Sequence, residues 1–241
     1  RPQVGNSMSA EVSQAFLDIL DGVEGDTTLR AVIVTGAGDR FFCTGGDVKR
    51  YALIETKDQL RDMMRLASTV FKRFETLPVP VIAAINGHAL GGGTELALGC
   101  DLRLAVNNAD FGLTETGIGI IPTGSIVRLL RDGHDGLNSL LTYTASRFSA
   151  QRMQEMGFLH QVVHTPDELR ELTIALAGQI ALNAPLALRA AKKVKRELAV
   201  QQTTKAMETA ESIRQTLDGT ADCAEGLAAF AEKRDPVFIG Q

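Results

Sequence analysis

The sequence predicts an α/β fold followed by a helical tail, and three observations lead to this prediction. Segments with the apolar period of a helix alternate with short β-branched runs that end at glycine. Eleven of the 23 glycines lie within residues 87–136, whereas only three lie within 166–234. No linker-like composition and no fixed-period repeat divides the chain. We therefore expect a turn-rich body at residues 1–165 and a helical extension at residues 166–241.

The body alternates helices and strands in chain order. Its longer segment has apolar residues at helical spacing, such as Leu60, Met64 and Phe71. AVIVTG and VIAAING are continuous apolar runs typical of buried strands, and DLRLAV alternates apolar and polar residues, which also predicts a strand. We predict a helix at 9–20, a strand at 31–36, a helix at 57–77, and strands at 81–87 and 101–106. This order indicates layers of helices on sheets.

The tail carries helix start signals. Thr165 and Glu168 have the spacing of a capping box, with Pro166 at the first helical position. A second helix is expected to begin near Pro185, and the apolar spacing continues through 201–217 and 221–233. Such a tail has more apolar surface than one layer covers, so we expect it to pack on the body or on a neighbouring subunit.

Composition excludes several functional classes. The 241 residues are 44% hydrophobic and 22% charged, with a net charge of −4, which argues against disorder and against coating a nucleic acid. No run approaches the roughly 18 apolar residues of a membrane span. Three distant cysteines predict neither a disulfide framework nor a metal site, and they favour a reducing, cytoplasmic location. The chain opens without a charged-then-apolar leader, and we expect a strand to precede the first residue of this numbering.

The segment FFCTGGDVK follows the predicted strand at 31–36. Paired glycines allow a ligand to approach the backbone closely, so the N–H of Gly46 could donate to a ligand oxygen. The simpler alternative is a tight turn in which Asp47 caps the residues that follow.

In the segment NGHALGGGTELALGCD a strand leads through three glycines into a helix predicted at 94–99. The unpaired N–H groups at such a helix start could hold a developing oxyanion. Glu95 lies in the first turn, where the alternative is a carboxylate that only stabilises the helix dipole. A phosphate-binding loop would need a following Gly-Lys-Ser/Thr, and a serine hydrolase would need Gly-x-Ser-x-Gly; neither is present.

The segment ADFGLTETGIGIIPTG places Glu115 in a loop between threonines and glycines. Its glycine spacing does not fit a dinucleotide-binding fingerprint. Taken together, the three segments supply two N–H donors and two carboxylates. That set of groups is suited to stabilising a thioester enolate while a proton and a water are moved at its α and β carbons.

These segments resemble the crotonase superfamily, the enoyl-CoA hydratases and isomerases. The resemblance runs from residue 1 to 238 and also includes RPQVGNSMS, RFSAQRMQEMGFLHQVV and AEGLAAFAEKRDPVF, all in family order. It implies a spiral of repeated ββα units with a helical C-terminal trimerisation region. It further implies a coenzyme A thioester as substrate with no tightly bound cofactor, and a homotrimer or dimer of trimers with no nucleic-acid or membrane partner.

The resemblance also assigns site residues. The oxyanion-hole N–H groups fall on Gly46 and Gly92, and the two hydratase glutamates fall on Glu95 and Glu115. The acyl-CoA-binding stretch falls on Gly46, Asp47, Val48 and Lys49. Because isomerases typically keep only the acid at the position of Glu115, the presence of both glutamates favours hydration.

Some positions depart from the family pattern. Thr114 replaces a proline before the second glutamate, and TGSI at 123–126 replaces a glycine-rich loop that is one residue longer. We expect Thr123 to supply an N–H near the attacking water. Ala145 replaces a glycine, with Tyr143 two residues earlier, and the acyl pocket is expected to be shaped by residues 50–66 and by those near Tyr143.

Three hypotheses follow. The first is an enoyl-CoA hydratase in which Glu95 activates water and Glu115 protonates the α carbon. The second is another reaction on the same enolate platform: isomerisation, dehydration, thioester hydrolysis or decarboxylation. The third is a non-catalytic acyl-CoA- or RNA-binding protein, motivated by the altered loop and by the basic run RAAKKVKRE, for which a solvated helix face is the simpler interpretation.

Overall fold

A computed structural model describes residues 1–51, 56–218 and 220–240, with the backbone alone for Lys57 and for residues 198–203. The strands are β1 Val32–Thr35, β2 Phe41–Cys43, β3 Val81–Ile85, β4 His88–Leu90, β5 Leu102–Val106, β6 Asp110–Gly112, β7 Phe148–Ser149 and β8 Gln161–Val163. The helices are α1 Ala10–Gly25, α2 Val48–Tyr51, α3 Lys57–Thr76, α4 Gly92–Leu98, α5 Thr123–Arg131, α6 Asp135–Thr144, α7 Ala150–Glu155, α8 Pro166–Ala181, α9 Pro185–Leu217 and α10 Ala221–Glu232. Two short 3-10 helices lie at Pro2–Val4 and Glu115–Ile118.

The strands form two four-stranded sheets in a repeating pattern. One sheet has the order β1-β3-β5-β8 and is parallel throughout. The other has the order β2-β4-β6-β7, in which only the β6–β7 pair is antiparallel. The first three pairs, β1–β2, β3–β4 and β5–β6, each give one strand to each sheet and are followed by helix, which confirms the predicted α/β spiral of ββα units; in the last pair α7 lies between β7 and β8.

The strands differ from the sequence predictions in how they are buried. All five residues of β3 are buried, as predicted for a central parallel strand. The interpretation of β1 as buried is wrong, because it is an edge strand and Ile33 is 41% exposed. The strand predicted at 101–106 forms as β5, and four of its five residues are buried. Arg103 lies inside, where its guanidinium donates to the carbonyl oxygens of Phe158 and Cys100 at 2.8 and 2.9 Å.

The helices of the body form as predicted. The Ser9 side chain caps α1 by accepting the N–H of Val12. The apolar face of α1 packs on α3, where the rings of Phe16 and Phe74 meet edge to face with centroids 5.6 Å apart. Helix α3 ends before Pro78, because proline cannot continue a helix and disfavours helical backbone before it.

Helix α8 begins at the predicted cap, with one difference. Thr165 accepts the N–H of Glu168, but the carboxylate of Glu168 accepts the N–H of His164 rather than that of Thr165. The helix lies across strands β1, β3, β5 and β8, and Leu169 is buried against them. Helix α8 therefore covers one face of the parallel sheet, whereas the division into two regions at residue 165 stays a prediction.

Helix α9 is longer and more firmly held than the sequence suggested. One helix of 33 residues replaces the two predicted segments. The interpretation of its basic run as a solvated face is wrong for three of its cations. Lys192 is 7% exposed and binds the carbonyl of Val79 and the carboxylate of Asp101, whereas Arg189 and Arg196 donate to backbone carbonyls of the body. These contacts join the tail to the body.

Membrane-spanning potential is limited. Within the described parts of the chain no single helix is long and apolar enough to cross a membrane, although α8 and Pro185–Glu197, bent by 104° to each other, meet the length and composition criteria as a pair.

The packing of α4 on β2 predicts a steric stability effect at Gly93. A β-carbon added there would lie 1.9 Å from the carbonyl oxygen of Cys43, so backbone must move. We expect Gly93→Ala to lower the free energy of unfolding by about 3 kcal/mol. The control is Gly178→Ala on α8, where an added β-carbon meets nothing within 4 Å and should stabilise by about 0.5 kcal/mol. Urea unfolding of both variants measures the difference; equal stability of the two would contradict this account of the α4–β2 contact.

Candidate active site

Two backbone N–H groups meet where β2 and β4 end. A β-carbon added at Gly45, whose φ is +82°, would lie 2.6 Å from the nitrogen of Gly92, so the two loops touch. A β-carbon added at Gly92 would lie 3.7 Å from the nitrogen of Gly46. Within the described residues, neither Gly46 nor Gly92 donates its N–H to a protein acceptor. Two adjacent free donors are what an oxyanion requires.

Both donors are held in place by backbone pairing. Met8 forms a parallel bridge with Gly46: its N–H donates to the carbonyl of Gly45 at 2.8 Å, and its carbonyl accepts the N–H of Asp47 at 3.1 Å. The carboxylate of Asp47 binds the guanidinium of Arg1 at 2.9 Å. On the other side, α4 begins at Gly92 rather than at the predicted residue 94, which places the N–H of Gly92 in its first turn. The donors are therefore preorganised.

Glu95 projects from the first turn of α4 into a buried site. It is 9% exposed, and its Oε1 accepts a hydrogen bond from Nη1 of Arg128 at 2.8 Å. Arg128 also binds Glu75 at 3.1 Å. Burial raises the pKa of Glu95 above its ordinary value, and the charge of Arg128 opposes this shift.

The loop at 123–126 leaves space for this ion pair. A β-carbon at Gly124 would lie 1.7 Å from Oε1 of Glu95 and 2.6 Å from Nη1 of Arg128. Thr123 opens α5, and its N–H donates to the carbonyl of Ile121 at 3.0 Å. This N–H already has a backbone acceptor, and its role beside a water stays a prediction. Gly124 instead provides the room in which Glu95 and Arg128 meet.

Glu115 opens the 3-10 helix that follows β6. Its Oε1 would lie 3.0 Å from a β-carbon at Gly91, so the carboxyl group borders the glycine loop. Its Oε2 is buried and has no hydrogen-bond partner among the described residues, although Glu115 as a whole is partly exposed. Burial raises the pKa of Glu115 to about 8, and the negative charge of Glu95 adds to the shift. Glu115 therefore holds a proton at neutral pH.

A cavity of about 540 Å³ joins these groups. The predicted site residues on its wall are Gly46, Val48, Gly92, Glu95, Glu115 and Thr123. Asp47 and Lys49 are not on the wall, because the Asp47 carboxylate binds Arg1 and Lys49 is exposed on α2. A contact between substrate and these two residues stays a prediction.

The far end of the cavity lies between α3 and α9. From the predicted segment 50–66, the wall includes Tyr51, Arg61, Met64 and Arg65, while residues 52–55 lie outside the described residues. Tyr143 itself is 82% exposed and is not on the cavity wall, so a role for residues near it in shaping the acyl pocket stays a prediction. Its neighbour Thr142 contacts the 3-10 helix that begins at Glu115: the backbone carbonyl of Thr142 accepts a hydrogen bond from the hydroxyl of Thr116 at 2.7 Å.

Sequence reasoning missed Arg128 and the position of Tyr51. Arg128, set within the apolar run IVRLL of an amphipathic helix, could have indicated a buried cation. Its partner Glu95 is 33 residues away, so pairing was not visible in local spacing.

Comparisons with known proteins identify the family of this chain. The family model for enoyl-CoA hydratase/isomerase matches residues 1–241. A putative enoyl-CoA hydratase/isomerase of Bacillus subtilis is 39% identical over 242 residues, which cover 100% of this chain and 92% of that protein. A crotonyl-CoA hydratase of Syntrophomonas wolfei is 35% identical over 242 residues, with coverage of 100% and 92%.

Solved structures give the same result. An enoyl-CoA hydratase from Bacillus anthracis superposes with a TM-score of 0.78 at 39% identity, covering 100% of this chain and 93% of the other. A carnitinyl-CoA dehydratase from Mycobacterium avium superposes with a TM-score of 0.84 at 32% identity and the same coverage. The chain therefore belongs to the enoyl-CoA hydratase/isomerase family and has the fold of the crotonase superfamily.

Proposed function

We propose that this enzyme is an enoyl-CoA hydratase that adds water across a trans-2-enoyl-CoA to give a 3-hydroxyacyl-CoA. The observation that carries the proposal is the pair Glu95 and Glu115 on one cavity wall beside two free N–H groups. Glu95 has a cationic partner and Glu115 has none among the described residues, so the anionic form is better stabilised on Glu95 than on Glu115.

The N–H groups of Gly46 and Gly92 would hold the thioester oxygen. Attack at the β carbon moves charge onto this oxygen and creates an enolate. Each preorganised donor lowers such a barrier by about 3 kcal/mol. Both N–H groups lie on rigid elements, at the start of α4 and beside the Met8–Gly46 bridge, so little reorganisation is needed as the charge develops.

The two carboxyl groups would move the protons. Glu95, whose anionic form is stabilised by the guanidinium of Arg128, takes a proton from water as the oxygen attacks the β carbon. Glu115, protonated at neutral pH, gives its proton to the α carbon of the enolate. The added water thus supplies OH at the β carbon, and the proton lost from Glu115 is replaced by the one held on Glu95 at the end of the cycle.

The remaining assignments follow from the family. We propose a coenzyme A thioester as substrate, bound along Gly46–Lys49 with Val48 against the ligand, and a homotrimer or dimer of trimers formed through the helical tail. Three cysteines are buried and form no disulfide within the described residues, which supports a reducing compartment such as the cytoplasm: Cys43, Cys100 and Cys223.

The test is loss of the enoyl-thioester ultraviolet absorbance when the protein is mixed with crotonyl-CoA, a longer straight-chain enoyl-CoA and a branched one. We expect decay with crotonyl-CoA, with 3-hydroxybutyryl-CoA as the product by mass spectrometry. The three substrates together measure the acyl size that the cavity accepts. Bound crotonyl-CoA that is not hydrated, or a product with a moved double bond or a cleaved thioester, would contradict hydration and favour another reaction on the enolate platform.

A further inference from the structure

Tyr51 lies at the oxyanion site, which no sequence pattern indicated. It ends α2, the single helical turn that starts two residues after Gly46. The carbonyl of Asp47 accepts the N–H groups of Arg50 and Tyr51 at 2.8 and 3.1 Å, so the turn folds tightly back. Because Asp47 is itself tied to Arg1 and Met8, the turn has a fixed origin.

The phenol covers Gly46. A β-carbon added at Gly46 would lie 1.9 Å from the Tyr51 hydroxyl oxygen and 2.5 Å from Cζ. The hydroxyl is therefore in contact with the α-carbon of the residue whose N–H is a proposed donor. Both Tyr51 and Gly46 are on the cavity wall, so the hydroxyl lies close to the place where the Gly46 N–H would hold a ligand oxygen.

The surroundings keep the hydroxyl protonated and free to donate. Burial raises the pKa of Tyr51 well above its ordinary value, and the negative charges of Glu115, Asp47 and Glu95 act in the same direction. Within the described residues the Tyr51 hydroxyl makes no hydrogen bond. Glu115 does not accept a hydrogen bond from this hydroxyl, because the phenol oxygen lies against Gly46 whereas Oε1 of Glu115 lies beside Gly91.

We propose that the Tyr51 hydroxyl donates a third hydrogen bond to the thioester oxygen, beside the N–H groups of Gly46 and Gly92. The inference rests on the proposed acyl-CoA function. An enolate oxygen carries a full charge and accepts three donors, whereas a thioester carbonyl oxygen gains less from the third. The bond therefore favours the enolate over the ground state, and no proton leaves Tyr51.

The test uses Tyr51→Phe, which removes the hydroxyl and keeps the ring, with acetoacetyl-CoA as the probe. This thioester enolises without turnover, and its enolate has a distinct ultraviolet band. We expect the bound enolate-to-ketone ratio at fixed pH to fall about 10- to 100-fold in Tyr51→Phe, with kcat for crotonyl-CoA falling by a similar factor. Binding of butyryl-CoA, which does not enolise, should change by less than about threefold.

The matched control is Tyr143→Phe, the same substitution at an exposed site. It should leave enolisation and turnover at the wild-type value. Circular dichroism checks the fold of both variants, and Tyr51→Leu provides a second variant without the hydroxyl if the first is unstable. An unchanged enolate-to-ketone ratio in a folded Tyr51 variant would overturn the proposed hydrogen bond from Tyr51 and leave the proposed acyl-CoA function intact. Wild-type protein that binds acetoacetyl-CoA without enolising it would overturn the enolate function as well.

Discussion

Replacing Glu115 with glutamine should lower turnover of crotonyl-CoA by about 100- to 10,000-fold. Glutamine keeps the shape of the side chain but has no acidic proton for the α carbon. Since Gly46 and Gly92 are untouched, affinity for a saturated acyl-CoA should stay within about threefold. Steady-state kinetics on crotonyl-CoA and calorimetric titration with butyryl-CoA measure the two effects separately.

The pH profile supplies an independent signature of the same residue. The pKa of Glu115 is raised to about 8 by burial, and the acid must be protonated to act. Hydration by the wild-type enzyme should therefore fall as the pH rises through about 8, and this decline should be absent from the residual activity of Glu115→Gln.

The control for this substitution is Glu171→Gln, the same change at an exposed position of α8. It should leave both the rate and the pH profile unaltered. Turnover of Glu115→Gln within twofold of wild type would show that the α-carbon proton comes from elsewhere, and the division of roles between the two glutamates would then have to be abandoned.

Much of the fold could be predicted because local patterns and burial agree. The run at 81–87 is apolar on both faces, as a central parallel strand requires, and Thr165 with Pro166 starts a helix by local geometry alone. The start of α4 could not be predicted. Glycine is a poor helix former, so propensity starts the helix at residue 94, but Gly93 is helical because it packs against the carbonyl of Cys43.

The residues of the candidate site could likewise be predicted in part. Motif order and family resemblance indicated Gly46, Gly92, Glu95 and Glu115, and the structure brings these four to one cavity. What spacing could not indicate is how each is held. The contact of Tyr51 with Gly46 depends on a one-turn helix folding back.

The Glu95–Arg128 pair shows the same limit over a longer distance. It depends on α5 approaching α4 across the gap at Gly124. The altered TGSI loop is therefore best understood through this pair: its glycine is placed where a side chain would separate base from cation, so the loop preserves the site.

Replacing Arg128 with methionine should be strongly destabilising, and the effect should depend on pH. The substitution leaves the buried carboxylate of Glu95 without its cation, whereas Glu75 keeps Arg131. Loss of one partner of a buried ion pair costs about 3–5 kcal/mol. With the cation gone, the pKa of Glu95 in the folded protein rises further above its value in the unfolded chain. The penalty is then present at high pH, where Glu95 must be anionic, and it shrinks as the pH falls toward the ordinary pKa of glutamate.

Urea unfolding at pH 5 and at pH 8 measures this dependence, and the loss should be larger at pH 8. Arg128→Lys keeps a charge and should recover part of the stability at pH 8, while Arg152→Met, which breaks the exposed Arg152–Glu155 pair, should cost less than about 1 kcal/mol at either pH. The same cause acts on catalysis, because a base of higher pKa holds its proton up to a higher pH. Hydration by Arg128→Met should thus be low at pH 7 and recover in part as the pH is raised toward 8, above which loss of the Glu115 proton lowers it again. An equal loss of stability at both pH values would instead mean that Arg128 acts through packing, and the anionic base would have to be stabilised by another group.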